Sequence, residues 1–412
     1  MNNSKNVQVF GLPAEKGRWF YVLLGLLILL CLGTVYSWSI FRKPLESLFN
    51  INATQSLLPF TVLLVVYAIL MPITGFYINK LGVRLITVIG GIVMGMGYIL
   101  SSLASNITTL VITYGVIGGA GVGIVYGVPL AVTARWFPDK KGLAVGLTVI
   151  GFGLSPFITA PLAKTLIGSY GVLFTFLILG ILFTAIILII ATTLKLPPQE
   201  WKPVTYNPPV ISTIETSKKA AILKSRSFYS LWLCYTIGTF VGLSAIGISS
   251  PVAEEIIKLD GTTAAFAVSL FALFNGVGRP LFGWLTDKFQ PKRAAITSYM
   301  LILVACIIML SANEGQIISY VVAFSCFWLS LGGWLAIAPT ATLTFFNPDN
   351  YAKNYGIVFT AYGVGALLGT FVAGQLRDLF GSYTLAFYPM AGLAIVGIIV
   401  AEFTLKHHHP QS

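Results

Sequence analysis

Apolar stretches of roughly 20 residues recur along the whole 412-residue chain, and no other feature constrains its fold as tightly. Twelve can be read off. They lie near 19–41, 56–78, 85–104, 108–131, 142–163 and 170–194, then 228–250, 264–286, 294–312, 317–340, 356–376 and 383–405. Each is long enough to cross the hydrocarbon core of a bilayer, about 30 Å thick, as a helix. In lipid every backbone N–H and C=O must be bonded within the protein, which leaves helices and closed barrels. Barrel strands alternate apolar and polar residues, and these runs do not. Only 9% of residues are charged, against about 25% in soluble domains. That is too few to cover a soluble globule, so a soluble enzyme is excluded. The 41 Gly and 20 Pro form no low-complexity tract, so disorder is excluded too. The expectation is an all-α membrane protein with twelve transmembrane helices. The first stretch does not read as a signal peptide, because its apolar core is too long and no cleavage site follows.

An even number of spans places both termini on one side. If that side is the cytoplasm, nineteen basic residues fall in inner segments. Only Arg42, Lys43, Lys164, Lys258 and Arg377 fall in outer ones, and Arg279 stays inside a span. The positive-inside rule then predicts a multi-pass protein of the cell membrane with both termini cytoplasmic. The net charge of +12 is read as this topology signal and not as a nucleic-acid footprint. Cys31, Cys234, Cys306 and Cys326 sit in apolar spans without metal-like spacing, so they read as packing residues. No metal and no cofactor is expected. Asn52-Ala-Thr and Asn106-Ile-Thr are acceptor sequons in outer loops, and the His407-His408-His409 tail reads as solvated.

The chain is written twice. A polar stretch near 196–227, with Pro197-Pro198 and Pro208-Pro209, separates a half at 1–195 from a half at 228–412. Pro72-Ile-Thr-Gly75-Phe-Tyr-Ile-Asn79-Lys80 after span two is echoed by Pro280-Leu-Phe-Gly283-Trp-Leu-Thr-Asp287-Lys288 after span eight. Gly168-Ser169-Tyr170 before span six is echoed by Gly381-Ser382-Tyr383 before span twelve. Internal repeats of this kind mark secondary transporters, which hold their substrate near the midplane between the halves.

Gly75-x-x-x-Asn79-Lys80-x-Gly82-x-Arg84 resembles the loop signature of the major facilitator superfamily. Gly283-x-x-x-Asp287-Lys288, with Lys292 and Arg293, resembles its second copy. The resemblance covers the whole chain and implies two pseudo-symmetric six-helix halves. It gives these residues a gating or latching role on the inner face, with Asn79 where the family usually has Asp. A finer resemblance runs from Gly119-Ala-Gly121-Val-Gly123-Ile-Val-Tyr126-Gly127 to Arg135-Trp136-Phe137-Pro138-Asp139-Lys140-Lys141-Gly142. This is similar to the oxalate/formate antiporter family, which is related to the monocarboxylate transporters. Tyr36-Ser37-Trp38, Asn275-Gly276-x-x-Arg279-Pro280 and Asn354-Tyr355-Gly356 resemble it as well.

Arg279 is the sharpest single feature. It lies eight residues before Asp287 at the inner loop, about 12 Å into the membrane by helix rise. A charge at that depth costs at least about 2.5–3.5 kcal/mol and marks function by default. No Asp or Glu lies at a comparable depth in the sequence, so a bound anion is the natural partner. A guanidinium matches a carboxylate with two parallel hydrogen bonds. Asn275, four residues earlier, shares the helix face; it can orient the arginine, bond a substrate oxygen, or bond a neighbouring helix. Tyr126 and Tyr362 count to the same level as Arg279, about 13–14 Å from the inner surface. Each phenol needs a partner there, either substrate or a neighbouring helix. Tyr36 counts closer to the outer face and enters through the resemblance. Trp334 reads as an apolar wall or as core.

Tyr362 sits where, by the resemblance, oxalate antiporters carry a second membrane-embedded lysine. Two cations suit a dianion and one suits a monoanion. The sequence is thus expected to encode a monomeric secondary transporter of a small monocarboxylate such as lactate or pyruvate, with a proton as co-substrate by resemblance. Oxalate/formate exchange is the alternative. Animal monocarboxylate transporters have an Asp where this chain has Asn275, so the resemblance names no proton carrier here. Gly115, Gly119, Gly123 and Gly127 recur on one helix face and predict close helix contact. Gly151, Gly153, Gly363, Gly365 and Gly369 are expected to let helices bend.

Overall fold

The computed structural model describes residues 7–198, 201–203, 222–346 and 351–405. Among the described residues eleven helices are long and apolar enough to cross a membrane. The first six are α1 (Ala14–Phe49), α2 (Ala53–Ile78), α3 (Val83–Ser101), α4 (Ile107–Trp136), α5 (Lys141–Tyr170) and α6 (Val172–Thr193). α7 (Arg226–Glu255) follows, then a 50-residue element, Gly261–Leu310. That element would run about 75 Å if straight, but Gln290 breaks it with φ 70 and ψ 157. Pro291 follows and lacks the N–H that would continue the ladder. The element is therefore two helices, α8 (261–289) and α9 (291–310). With α10 (Ile317–Phe345), α11 (Lys353–Phe380) and α12 (Tyr383–Thr404) the expected twelve spans are complete. Several helices outrun the apolar stretches that announced them; α4 continues past residue 131 to Trp136.

The repeat visible in the sequence reappears in the backbone. The turns between α2 and α3, α5 and α6, and α11 and α12 are made by Gly82, Gly171 and Gly381, with φ of 82, 82 and 73. Gln290 holds the fourth equivalent turn at φ 70 without being glycine. The halves meet along two seams, α2 against α11 and α5 against α8.

Small residues set the helix spacing. Gly127, expected on the contact face of α4, meets nothing within 4 Å, but a Cβ on Gly119 would lie 2.8 Å from the Leu63 carbonyl, and one on Gly123 2.9 Å from Leu70 Cβ, so α4 presses on α2 there. Gly151 and Gly369 behave the same way, against the carbonyls of Leu26 and Phe240 at 2.3 Å. The glycines expected to let helices bend are here also points of close contact. A short hairpin, β1 (Gln8–Val9) with β2 (Leu12–Pro13), precedes α1 at the terminus-bearing end, called the inner end below. Part of the expected linker, Trp201, packs against Trp136 with ring centroids 5.0 Å apart. Residues 199–200 and 204–221 of that linker, and the histidine tail, lie outside the described residues.

Candidate functional site

Arg279 lies on α8 where α8 meets both α5 and α10. Gly278 lets α10 approach, since a Cβ there would stand 2.3 Å from the Leu329 carbonyl. Gly153 lets α5 approach, since its Cβ would stand 2.6 Å from Asn275 Oδ1 and 3.2 Å from Arg279 Nε. The guanidinium is thus 5% exposed at the seam between the halves. Its Nη1 donates to the Val149 carbonyl of the opposite half at 2.8 Å. Its Nη2 reaches Asn275 Oδ1 only at 3.5 Å, a long and weak contact. Its Nε is buried without a partner. No carboxylate pairs with Arg279 among the described residues.

Asn275 serves two of the roles open to it. Its Nδ2 donates to the Trp328 carbonyl on α10 at 3.0 Å, and its Oδ1 faces Arg279. The helix-to-helix bond fixes the amide, and the fixed amide faces the arginine.

Aromatic side chains from both halves close around this point. The Arg279 Cζ stands 6.0 Å from the Phe152 ring centroid. Phe152 meets Tyr36 and Tyr126 edge-on, at 5.1 and 5.2 Å. Tyr67 completes the cluster, 5.1 Å from Tyr126 and 5.7 Å from Tyr362. Tyr36 and Tyr362 share a hydrogen bond between their hydroxyls at 2.9 Å, joining α1 to α11 across the halves. Tyr36 reaches this level although counting placed it nearer the outer face. Residues Gly33–Ser37 form a tighter 3₁₀ stretch within α1. Gly33 there packs directly on the Phe152 carbonyl.

The structure therefore brings Arg279, Asn275, Tyr126, Tyr36 and Tyr362 into one buried neighbourhood. Trp334 is one shell away. It packs on Tyr235 and Tyr299 within the C-terminal half and covers Gly238. Sequence reasoning missed Phe152, Tyr67 and the Val149 carbonyl. In a chain with 28 Phe and 18 Tyr a single ring carries little signal, and a main-chain acceptor carries none.

Among the described residues, the contacts made by the signature-loop residues stay within their own halves. Arg84 donates to the Leu194 carbonyl at 2.8 Å, and Lys292 pairs with Glu402 at 2.5 Å. Lys80 lies 5.9 Å from the Tyr77 ring, and Lys288 stands over Trp284 and Phe289. Gly75 and Asp287 are exposed, Gly283 is half-buried, and the side chain of Asn79 lies outside the described residues.

Charged bonds do join the halves at the outer end. Lys43 and Arg377 both bond the Glu255 carboxylate, Lys43 from the opposite half. Asp378 on α11 accepts from the backbone N–H groups of Ala53 and Thr54, both at 2.9 Å, at the start of α2. That is where a helix favours a negative charge. Arg42, counted from the sequence among outer-loop charges, is fully buried. It donates to the Gly247 carbonyl at 3.2 Å and the Tyr383 hydroxyl at 2.6 Å, with Glu46 beside it at 3.1 Å. Sequence counting treated these residues as topology markers only, because their partners are far away in the chain.

Comparison with known proteins bears on the fold and the family. The sequence pattern of the Major Facilitator Superfamily matches residues 21–345 and again 237–412. A protein named oxalate:formate antiporter from Oxalobacter formigenes is 27% identical, over 98% of this chain and 95% of its own. Monocarboxylate transporter 12-B of Danio rerio is 26% identical, over 79% of this chain and 74% of its own. A bacterial homologue of the human lysosomal transporter Spinster superposes with a TM-score of 0.71 at 16% identity. The superposition covers 95% of this chain and 97% of that structure, and it speaks for the fold.

Proposed function

The chain belongs to the major facilitator superfamily and is a transporter of that fold, and from that premise we propose that it carries a small monocarboxylate such as lactate or pyruvate together with a proton. The observation that carries this reading is the guanidinium of Arg279. It is buried between the halves, has an unbonded Nε and faces no carboxylate among the described residues. A substrate carboxylate would complete its hydrogen bonding through two parallel N–H donors. The phenols of Tyr36, Tyr126 and Tyr362 would bond the remaining oxygens. Phe152 and Tyr67 would enclose a short apolar body, and Trp334 would support that wall from behind.

Charge supports one carboxylate over two. Tyr362, not a second cation, stands opposite Tyr36. A second negative charge buried there would lack a partner and cost several kcal/mol (about 3–5). Alternating access would come from the halves rocking about this level, with the 1–195 and 228–412 halves as the moving bodies and 196–227 as their cytoplasmic link. The Lys43–Glu255–Arg377 and Arg42 bonds would hold the outer end closed. The signature loops with Gly75, Asn79, Lys80, Arg84, Gly283, Asp287, Lys288 and Lys292 would latch the inner end. We place the protein in the cell membrane as a monomer, with cytoplasmic termini as the distribution of its basic residues suggests.

A second reading is favoured by one observation, the similarity over nearly the whole chain to a protein named oxalate:formate antiporter. Uptake into proteoliposomes separates the two. Labelled L-lactate and pyruvate should accumulate with an inward proton gradient, and oxalate exchange should be weak. Strong oxalate–formate exchange with little lactate uptake would overturn the first reading in favour of the second.

A further inference from the structure

A second concentration of built structure lies at the inner end of the N-terminal half, well away from Arg279. Arg18 at the start of α1 is 3% exposed and grips Asp139 with both Nη atoms, at 2.6 and 2.9 Å. It also donates to the Trp136 carbonyl at 3.1 Å. Trp136 in turn stacks on Tyr21 at 5.2 Å and donates through Nε1 to the Lys195 carbonyl at 2.7 Å. Spans one, four and six are thereby tied to the segment that follows α6.

Beside this knot is a cavity of about 430 Å³ between the β1–β2 hairpin, the start of α3 and the end of α6. Its charged lining residues are Arg84 and Lys195, and no acidic side chain lines it among the described residues. Arg84 is held in place by its own Nε, which donates to the Leu194 carbonyl at 2.8 Å. Arg84 is itself exposed, and its Nη groups offer the planar fork that suits a phosphate. Lys195 is exposed and makes no ion pair among the described residues, and its backbone is pinned by Trp136.

The surroundings point to lipid. Phe10, Leu12, Trp19 and Phe20 are 45%, 40%, 37% and 43% exposed on the hairpin and near the start of α1. Phe10 lies 5.4 Å from Phe20 and 5.3 Å from Tyr21, which itself lines the cavity. Exposed aromatic side chains at a span end belong at the headgroup level of a bilayer. A basic cavity between spans at that level fits a lipid headgroup. We propose that this cavity binds the phosphate of an anionic phospholipid from the leaflet at the inner end, with Arg84 and Lys195 as its cations.

Full-length purified protein in neutral detergent tests this. It is titrated with phosphatidylglycerol, with phosphatidylcholine, or with inorganic phosphate alone, and bound lipid and thermal midpoint are read by native mass spectrometry and melting. One phosphatidylglycerol should be retained and raise the midpoint, and neither phosphatidylcholine nor phosphate should match it. Lys195→Gln should weaken apparent affinity for phosphatidylglycerol about fivefold, and Arg84→Gln by a similar factor. Lys202→Gln removes an equal charge nearby but outside the lining and should leave the affinity unchanged. Equal protection by phosphatidylcholine or by free phosphate would overturn the assignment. So would an equal loss in Lys202→Gln and Lys195→Gln, which would reduce the effect to surface charge.

Discussion

The Arg279 guanidinium donates to the main-chain carbonyl of Val149, 2.8 Å away across the α5–α8 seam. The cation assigned to the substrate is therefore already bonded to the opposite half. A carboxylate bonded at the free Nε and at Nη2 would sit beside that bond, so anion binding and this seam would be coupled. This gives the rocking of the halves a differential contact on which substrate can act.

Gly153 tests how closely that seam must fit. An alanine Cβ there would crowd Asn275 Oδ1 at 2.6 Å and Arg279 Nε at 3.2 Å. Gly153→Ala should raise the KM for lactate by about tenfold or more. Gly146→Ala on the same helix meets nothing within 4 Å and should stay near wild type. Uptake kinetics of the two variants in proteoliposomes make the comparison, and equal KM values would contradict it.

The Tyr36–Tyr362 bond predicts coupling. Tyr36→Phe and Tyr362→Phe each remove one hydroxyl of a buried pair that is 2.9 Å apart. Each should slow transport, and the double variant should lose less than the sum, with a coupling energy of about 0.5–1.5 kcal/mol. Strictly additive losses in a double-mutant cycle would show that the two hydroxyls act independently.

At the outer end, Lys43→Gln removes the donor that the N-terminal half gives to Glu255. The outer closure should loosen. Leu57, 1% exposed and packed toward Gly247, reports on it as Leu57→Cys once Cys31, Cys234, Cys306 and Cys326 are replaced by Ala. Alkylation by an impermeant reagent should speed up, by at most about fivefold for a half-exposed ion pair. An unchanged rate would remove Lys43 from the closure.

Gln290 holds a backbone conformation that glycine holds at the three equivalent turns. Such a conformation costs a non-glycine residue on the order of 1–3 kcal/mol, part of which glycine returns through its looser unfolded chain. Gln290→Gly should therefore raise stability by about 1 kcal/mol, seen as a higher melting midpoint in detergent. A lower midpoint would mean that the Gln290 side chain contributes more than its backbone strains.

The spans, the repeat and the deep arginine were legible because each rests on a pattern local in the chain. Runs of apolar residues announce helices, and counting from Asp287 places Arg279 at mid-depth. Even the α8–α9 junction, one continuous element of 50 residues, was separable into spans near 264–286 and 294–312 because apolar character lapses between them. What the sequence concealed are contacts between remote segments. Arg42 reads as an outer-loop cation until Gly247 and Tyr383 close over it, 205 and 341 residues away. Phe152 reads as one ring among many until α5 turns it toward Arg279. Tyr36 entered through the resemblance alone, because its partner Tyr362 on α11 lies 326 residues away and does not follow from a count of residues.

Labelled L-lactate uptake into proteoliposomes, with an inward proton gradient, on wild type and Arg279→Lys, tests the role of Arg279 most directly. Lysine keeps the charge but offers a point where the carboxylate needs a planar fork. The initial rate should fall by about tenfold to a hundredfold, with the variant still folded as judged by its melting midpoint. Uptake by Arg279→Lys equal to wild type would take Arg279 out of the binding site and the monocarboxylate reading with it.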